Sequence, residues 1–173
     1  MKSLHNDLPD ERLRSTIGLG MLVQDVMTRD VLSVPKFESI MRVANILSER
    51  NISGLPVVDK EQRVIGIVTQ ADILSMVGVR RENTLKDLLR HMLGEQLPER
   101  RMGDIAGDIM TAPADTISPR ATIAEAARIM DERRIRRLPV VDENQTLLGI
   151  ITRADILKAV IKKLKWDTPD RRP

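Results

Sequence analysis

The segment Gly66-Ile-Val-Thr-Gln-Ala-Asp-Ile-Leu74 recurs 83 residues later as Gly149-Ile-Ile-Thr-Arg-Ala-Asp-Ile-Leu157. Two further matches share this offset: Asp25-Val-Met-Thr28 with Asp108-Ile-Met-Thr111, and Leu55-Pro-Val-Val-Asp59 with Leu138-Pro-Val-Val-Asp142. Aligned without a gap, residues 23–77 and 106–160 are identical at 23 of 55 positions, spread over the whole segment. The chain therefore contains two copies of one structural unit.

Within each copy the hydrophobic periodicity changes in a fixed order. In the first copy the β-branched run Val31 to Val34 indicates a strand, and residues 40–50 show the i, i+3, i+4, i+7 spacing of a helix packed by one face. Two apolar runs, residues 55–58 and 64–68, flank a polar turn and predict a buried β-hairpin. Helical spacing returns from Thr69 to Val77, and the same β-α-β-β-α order repeats from Ala114 to Ile161.

A sheet of so few strands with two helices on one face is small for an independent domain. We therefore predict an α/β (α+β) fold in which the two β-α-β-β-α repeats pack sheet to sheet about a pseudo-twofold axis. The expected organisation is an N-terminal arm (1–22), repeat one (23–78), a helical bridge (79–105), repeat two (106–161) and a basic tail (162–173).

The composition excludes several classes of site. The 173 residues include no cysteine, two histidines and only two aromatic residues. Disulfide frameworks, thiolate nucleophiles, thiolate metal sites and aromatic platforms for single-stranded nucleic acid are therefore excluded. His5 and His91 lie too far apart to suggest a metal-ligand pair, and no phosphate-loop, dinucleotide or nucleophile-elbow motif is present. We expect no catalytic residue, no metal, no required cofactor and no enzymatic activity.

Charge and hydropathy bear on location and partners. No stretch approaches the roughly 20 apolar residues that span a bilayer, and the opening segment has neither a signal-peptide core nor transit-peptide character. A cytoplasmic protein without a membrane partner is expected. Residues 158–173 hold six basic and two acidic residues, within a chain of net charge +3. Cations near the end of an amphipathic helix explain this tail, so nucleic acid is not expected as a partner, although a nucleic-acid-associated regulator acting through the tail is one alternative.

The motif Thr-x-x-Asp closes the hairpin in both copies, and its spacing supports two interpretations. Thr69 as N-cap and Asp72 at the third helical position would stabilise the helix start by ~1 kcal/mol. Alternatively, a strand end, a glycine that lets a ligand approach the backbone and a helix N-terminus form an anion site. There the threonine hydroxyl would reach a phosphate, and the carboxylate would accept hydrogen bonds from a ribose diol.

Residues 23–161 resemble a tandem pair of cystathionine β-synthase (CBS) domains, known as a Bateman module. The motifs that carry the resemblance are the three repeated segments above, with the middle one extended to Ile52–Asp59 and Ile135–Asp142. The resemblance implies a regulatory sensor module that binds AMP, ADP, ATP or S-adenosylmethionine in clefts between the repeats. It implies no reaction, and the protein partner that such a module would regulate is unknown.

The resemblance also implies the site residues, because one repeat supplies the Thr and Asp while the other supplies its first two strands. One cleft would combine Thr69 and Asp72 with residues 115–117 and 135–139, and the other would combine Thr152 and Asp155 with residues 31–33 and 52–56. The expected ligand-binding residues are Thr69, Asp72, Asp115, Ile117, Ile135, Arg136, Arg137, Pro139, Thr152, Asp155, Val31, Ser33, Ile52, Ser53, Gly54 and Pro56.

The two clefts are expected to differ in charge. Repeat two has Arg136 and Arg137 where repeat one has Ser53 and Gly54. Arginine offers bidentate, charge-assisted bonds to phosphate, so the cleft holding Asp72 should prefer phosphorylated nucleotides. The preceding pair, Arg133 and Arg134, is expected to close a helix instead.

A ligand-free scaffold is the other alternative, because capping alone explains Thr and Asp in both repeats. On either interpretation, helices with apolar stripes on a chain of only 173 residues should leave self-complementary faces, which predicts a homodimer.

Overall fold

The computed structural model describes residues 20–76 and 104–167, with side chains up to residue 165. The N-terminal arm before residue 20, nearly all of the predicted bridge helix with His91, and the tail beyond residue 167 lie outside the described residues.

Helices and small sheets alternate along the described chain, which confirms the predicted α+β class. In chain order the elements are α1 (Val23–Val26), β1 (Val34–Pro35), α2 (Ile40–Glu49), β2 (Gly54–Val58), β3 (Val64–Thr69), α3 (Gln70–Met76), α4 (Ala106–Ile109), α5 (Ile123–Glu132), β4 (Arg137–Val141), β5 (Leu147–Thr152) and α6 (Arg153–Asp167).

The described residues divide into two compact units, and neither unit is built from one repeat alone. We call residues 32–76, 104–114 and 145–147 the repeat-one unit, and residues 20–31, 115–144 and 148–167 the repeat-two unit. The Asp-x-Met-Thr segment that opens each repeat thus lies in the unit that holds the hairpin of the other repeat. In the repeat-two unit the main chains of Thr28 and Ile150 exchange two hydrogen bonds of 2.9 Å. In the repeat-one unit Thr111 and Ile67 exchange two, of 2.9 and 3.0 Å.

The repeat-one unit contains a three-stranded sheet in the order β1-β2-β3. β1 runs parallel to β2 with Val34 opposite Val57, and β2 and β3 are antiparallel with Gly54 opposite Thr69. The predicted first strand was placed too early, because the paired residues are Val34 and Pro35 rather than 31–34. Proline lacks an N–H to extend the ladder, and its carbonyl accepts from Glu38 N at 3.0 Å in the turn that follows.

The repeat-two unit has a two-stranded sheet of β4 and β5. The first strand predicted for this repeat is a single parallel bridge between Ile117 and Val140, the same register as Val34 and Val57 in repeat one. The ladder ends there because Ser118 begins a turn, in which Ala121 N donates to the Ser118 carbonyl at 3.1 Å, and because Pro119 has no N–H.

The polar turn of the first hairpin is held by one carboxylate. Asp59 Oδ1 accepts from the main-chain N–H groups of Glu61 and Arg63 at 3.0 and 2.9 Å, and its Oδ2 accepts from Arg63 Nε at 2.7 Å. Desolvation raises the pKa of Asp59, but the hydrogen bonds and charge of Arg63 outweigh it, so this pKa lies below its ordinary value. The closed turn helps fix the hairpin register that places Thr69 at the strand end.

Side-chain caps start α2 and α5. Ser39 Oγ accepts from Arg42 N, and Thr122 Oγ1 accepts from Glu125 N, each at 3.2 Å. The helix predicted over 40–50 is confirmed, with Arg50 as its C-cap. Arg133 is the C-cap of α5, and Arg134 follows with a left-handed φ of 56°, which confirms that this pair closes the helix.

Each unit has its own aliphatic core. The repeat-one core includes Val43, Leu47, Leu55, Val57 and Val68. The repeat-two core includes the matching residues Ala126, Met130, Leu138, Val140 and Ile151. The hairpin strands β3 and β5 leave these cores at their last residues, Thr69 and Thr152, which are half-buried.

The repeated glycine of each hairpin packs against the Asp-x-Met-Thr segment, not against a ligand. A Cβ on Gly66 would lie 2.5 Å from Met110 Sδ, and one on Gly149 would lie 2.7 Å from the Thr28 carbonyl oxygen. The expectation that these glycines open the backbone to a ligand is therefore wrong, because protein atoms fill the space. Their role is the close approach of two protein segments.

We expect Gly149→Ala to destabilise the protein by ~1–3 kcal/mol, since the added methyl meets main chain that cannot move aside. Gly66→Ala should cost less, because the nearest atom is the sulfur of a flexible methionine. Urea unfolding measures the free energy of unfolding of both variants. Gly20→Ala is the control, since nothing lies within 4 Å of a Cβ at Gly20. Equal midpoints for Gly149→Ala and Gly20→Ala would contradict the packing role.

Candidate functional site

The Thr-x-x-Asp motif forms the same hydrogen-bonded clamp in both repeats. Asp72 Oδ2 accepts from Thr69 N and from Thr69 Oγ1, both at 2.7 Å. Asp155 Oδ2 accepts from Thr152 N at 3.0 Å and from Thr152 Oγ1 at 2.6 Å. All four residues are half-buried. Each threonine is the last residue of its strand, so each helix begins one residue later than predicted.

These contacts show that the motif caps its helix. In repeat two the cap is reciprocal, because Asp155 N also donates to Thr152 Oγ1 at 3.2 Å. The cap uses a single carboxylate oxygen of each aspartate. Within the part of the chain that the structure describes, Oδ1 of Asp72 and Oδ1 of Asp155 accept no hydrogen bond. Capping and ligand binding are therefore compatible functions of the same side chain.

The residue after each threonine hydrogen-bonds to the two residues that precede the neighbouring strand, a role that the sequence analysis missed. Gln70 N and Nε2 donate to the carbonyls of Ser53 and Ile52, both at 3.2 Å. Arg153 does the same in repeat two, because its N and Nε donate to the carbonyls of Arg136 and Ile135, both at 3.1 Å. A long polar side chain at the same position of both repeats was the available signal.

The structure therefore brings five of the expected site residues next to a clamp of their own repeat. Ile52 and Ser53 lie beside the Thr69–Asp72 clamp, and Ile135 and Arg136 lie beside the Thr152–Asp155 clamp. Gly54 is paired with Thr69. The expectation that each clamp shares its cleft with residues of the other repeat stays a prediction.

The remaining expected residues differ in accessibility. Pro56, Ile117 and Pro139 are buried, and Ile117 uses its main-chain N–H and carbonyl on Pro139 O and Val141 N, each at 3.0 Å. Asp115 is exposed and lies 3.7 Å from Arg133 Nε. Val31 and Ser33 are half-buried, and Ser33 lines a cavity of about 520 Å³ in the repeat-one unit.

The two arginines at the start of β4 are placed differently. Arg136 is exposed, whereas Arg137 is half-buried with its Nη1 atom enclosed. Arg136 therefore has the freer guanidinium for an incoming anion, while Arg137 is held by its surroundings.

The described residues contain no cluster of His, Cys, Asp or Glu able to hold a metal ion. Over residues 20–76 and 104–167, no helix is both long and apolar enough to cross a bilayer.

Comparison with known proteins supplies context for the clamps. The chain is 36% identical over 154 residues to a Methanocaldococcus jannaschii protein, MJ1404, and the match covers 89% of this chain but only 35% of that protein. CBSX2 of Arabidopsis thaliana in complex with AMP superposes with a TM-score of 0.66 at 28% identity, covering 83% of this chain and 98% of that one. The CBS domain pair of protein MJ0100, in complex with 5′-methylthioadenosine and S-adenosyl-L-methionine, gives 0.64 at 26% identity and the same coverage.

The CBS domain family model matches the chain twice, over residues 23–79 and 106–162. Both matches begin at the opening segment of a repeat and extend past its Thr-x-x-Asp clamp. The chain belongs to the CBS domain family and carries a tandem pair of CBS domains.

Proposed function

We propose that this CBS pair is a regulatory module that binds adenosine-containing ligands. In this proposal Asp72 and Asp155 accept hydrogen bonds from the ribose hydroxyls. The observation that carries the proposal is the duplicated clamp, in which threonine fixes one carboxylate oxygen while the other accepts no hydrogen bond from the described residues. A carboxylate held in one orientation loses little freedom when it binds a diol, so its hydrogen bonds contribute more fully to affinity.

Two structural relatives support the class of ligand. CBSX2 binds AMP, and the MJ0100 pair binds 5′-methylthioadenosine and S-adenosyl-L-methionine. The three ligands share adenine and a ribose with a 2′,3′-diol, and differ in the 5′ substituent. AMP, ADP, ATP and S-adenosylmethionine are therefore the candidate ligands here. Contacts of the protein with the 5′ substituent would determine which of them binds.

The side chains of the clamps support a regulatory role without catalysis. Within the described residues, each clamp carboxylate accepts hydrogen bonds only from the threonine of its own cap, and the sequence has no cysteine. Ligand binding would act on a protein partner that recognises the bound state, and we place this partnership in the cytoplasm.

A thermal-shift panel of AMP, ADP, ATP, S-adenosylmethionine and NAD tests the proposal. A ligand that binds only the native state stabilises it by about 2.7 kcal/mol at a hundredfold excess over Kd, which raises the melting temperature by several degrees. Adenosine alone serves as the probe for the shared part of the ligands. No shift with any of these compounds would contradict the proposal and favour the scaffold.

The scaffold is the second candidate, and one feature of α6 favours dimerisation in either case. Leu157, Ile161 and Leu164 are spaced as one helix face and are 60%, 43% and 41% exposed. Exposed apolar side chains grouped on one helix face can form an interaction surface. We propose that it packs against a second copy of the chain.

Light scattering is expected to give the mass of a homodimer at micromolar concentration and physiological salt. Leu157→Gln with Ile161→Gln should shift the protein toward the monomer, because each change removes apolar area from the interface. Leu148→Gln is the control, since Leu148 is 39% exposed on β5, away from the stripe. A monomeric parent, or an unchanged dimer in the double variant, would overturn this assignment.

A further inference from the structure

The cavity of about 520 Å³ in the repeat-one unit lies at the turn end of the first hairpin. Its volume is within the range of small-molecule sites. The Thr69–Asp72 clamp lies at the other end of the same hairpin, because Gly54 pairs with Thr69 whereas Val58 pairs with Val64. Four residues of strand separate the two ends, a distance of ~13 Å. The cavity is therefore distinct from the clamp of its own repeat.

One part of the cavity wall is apolar. Pro35, Val58 and Ile65 line it from the three strands of the sheet, and Val58 is only 3% exposed. Phe37, the single phenylalanine of the chain, also lines the cavity and is 74% exposed. An aromatic ligand stacked on Phe37 would remove this apolar surface from water.

The other part of the wall is cationic. Lys36 and Lys60 line the cavity, both are exposed, and the described part of the chain gives neither of them an ion pair. Asp59 also lines the cavity, but its carboxylate pairs with Arg63 Nε at 2.7 Å and accepts from two main-chain N–H groups. Among the lining residues, the two lysine charges are thus left without a counter-charge, and an anionic group complements them.

Local contacts hold the segments that carry the two lysines. The stem of Lys36 lies across Gly107 of α4, since a Cβ on this glycine would be 2.6 Å from the lysine Cγ and 3.0 Å from its Cε. Gly107 N also donates to the Lys36 carbonyl at 2.9 Å. Lys60 belongs to the turn that Asp59 closes, where Gln62 N donates to the Asp59 carbonyl at 3.1 Å. A wall that is already ordered loses less conformational freedom when a ligand binds.

Repeat two keeps the turn but not the chemistry of this wall. The turns at residues 59–62 and 142–145 both begin with Asp and end with Gln. By contrast, the positions 83 residues after Lys36, Phe37 and Lys60 are occupied by Pro119, Arg120 and Glu143. The hairpin therefore does not need the aromatic ring or the two lysines, which are features of repeat one.

We propose that this cavity binds a small aromatic carboxylate. Its ring packs against Phe37 and the apolar wall, and its carboxylate is held by Lys36 and Lys60. A ligand with a single negative charge suits the cavity better than a polyphosphate, because the apolar wall offers no partners to further charged groups. Ser33 is the one lining residue that also belongs to the expected nucleoside-binding residues, and this proposal does not depend on nucleoside binding.

Saturation-transfer NMR titrations of the full chain with 2-naphthylacetate, its neutral amide 2-naphthylacetamide and acetate test the two parts of the wall. We expect the naphthylacetate to bind, the amide to bind about tenfold more weakly, and acetate to show no binding. Lys36→Gln with Lys60→Gln should weaken the naphthylacetate about tenfold and leave the amide unchanged. Phe37→Ser should weaken both aromatic compounds by a similar factor.

Matched controls remove the same groups from positions outside the cavity. Lys162→Gln with Lys165→Gln removes two exposed lysine charges, and Met41→Ser removes an apolar side chain that is 72% exposed. Both controls should bind the naphthylacetate as the parent does. Thermal unfolding should give similar melting temperatures for all of these variants, because every substituted side chain is exposed.

Three results would contradict the proposal. They are no binding of 2-naphthylacetate to the parent, equal affinity of the parent and the Lys36 and Lys60 double variant, and equal affinity of the parent and Phe37→Ser. Binding that persists in the last two variants would place the compound elsewhere on the protein.

Discussion

Asp72→Ala and Asp155→Ala are each expected to weaken nucleoside binding at one of the two clamps while the protein remains folded. Each change removes a carboxylate that would accept the ribose diol, and losing hydrogen bonds to a charged group costs ~1.5–3 kcal/mol, or about 10- to 150-fold in Kd. The same change removes the cap on α3 or α6, which costs only ~1 kcal/mol of stability. Calorimetry with adenosine and AMP, alongside thermal unfolding, measures the two effects separately.

Two caps elsewhere in the molecule provide matched controls. Ser39→Ala and Thr122→Ala remove the side-chain caps of α2 and α5, and neither residue belongs to a clamp. These variants should lose as much stability as the aspartate variants but retain full nucleoside affinity. Unchanged affinity in both aspartate variants would show that the clamps serve only as caps.

The sequence could predict these clamps because every interaction in them is local. Thr69 and Asp72 are three residues apart, and the strand before them and the helix after them each have a clear hydrophobic period. Duplication of the same pattern at Thr152 and Asp155 made the prediction more secure. Local spacing also predicted the hairpins and the closing of α5 by Arg133 and Arg134.

Local spacing could not predict that the Asp-x-Met-Thr segment of each repeat pairs with the hairpin of the other repeat. Thr28 pairs with Ile150, and Thr111 with Ile67, through main-chain bonds that any residue types can make. The pairing requires the absence of a Cβ at Gly149 and Gly66, and a lone glycine in a strand permits several explanations. The sequence therefore suggested a ligand where the structure has a protein segment.

Exchanging Arg136 and Arg137 for the Ser and Gly of repeat one is expected to erase most of the preference for AMP over adenosine at one site. The resemblance assigns both arginines to the site that contains Asp72, where charge-assisted bonds would hold the phosphate. Because Arg136 is exposed, each bond is discounted for solvent screening, and we expect the AMP-to-adenosine affinity ratio to fall about tenfold. Adenosine affinity itself should not change.

The strand should tolerate this exchange, because Gly54 already begins β2 at the position that Arg137 occupies in β4. Arg120→Ser with Arg134→Gly is the control, since it removes the same charge from two exposed positions outside the site, and glycine is suited to the left-handed φ of Arg134. In the parent, the preference for AMP should weaken as salt rises, and it should be nearly insensitive to salt in the exchanged variant. If the exchanged variant discriminates AMP from adenosine as the parent does, the two arginines belong to the structural surface, and the phosphate at that site is held by other groups.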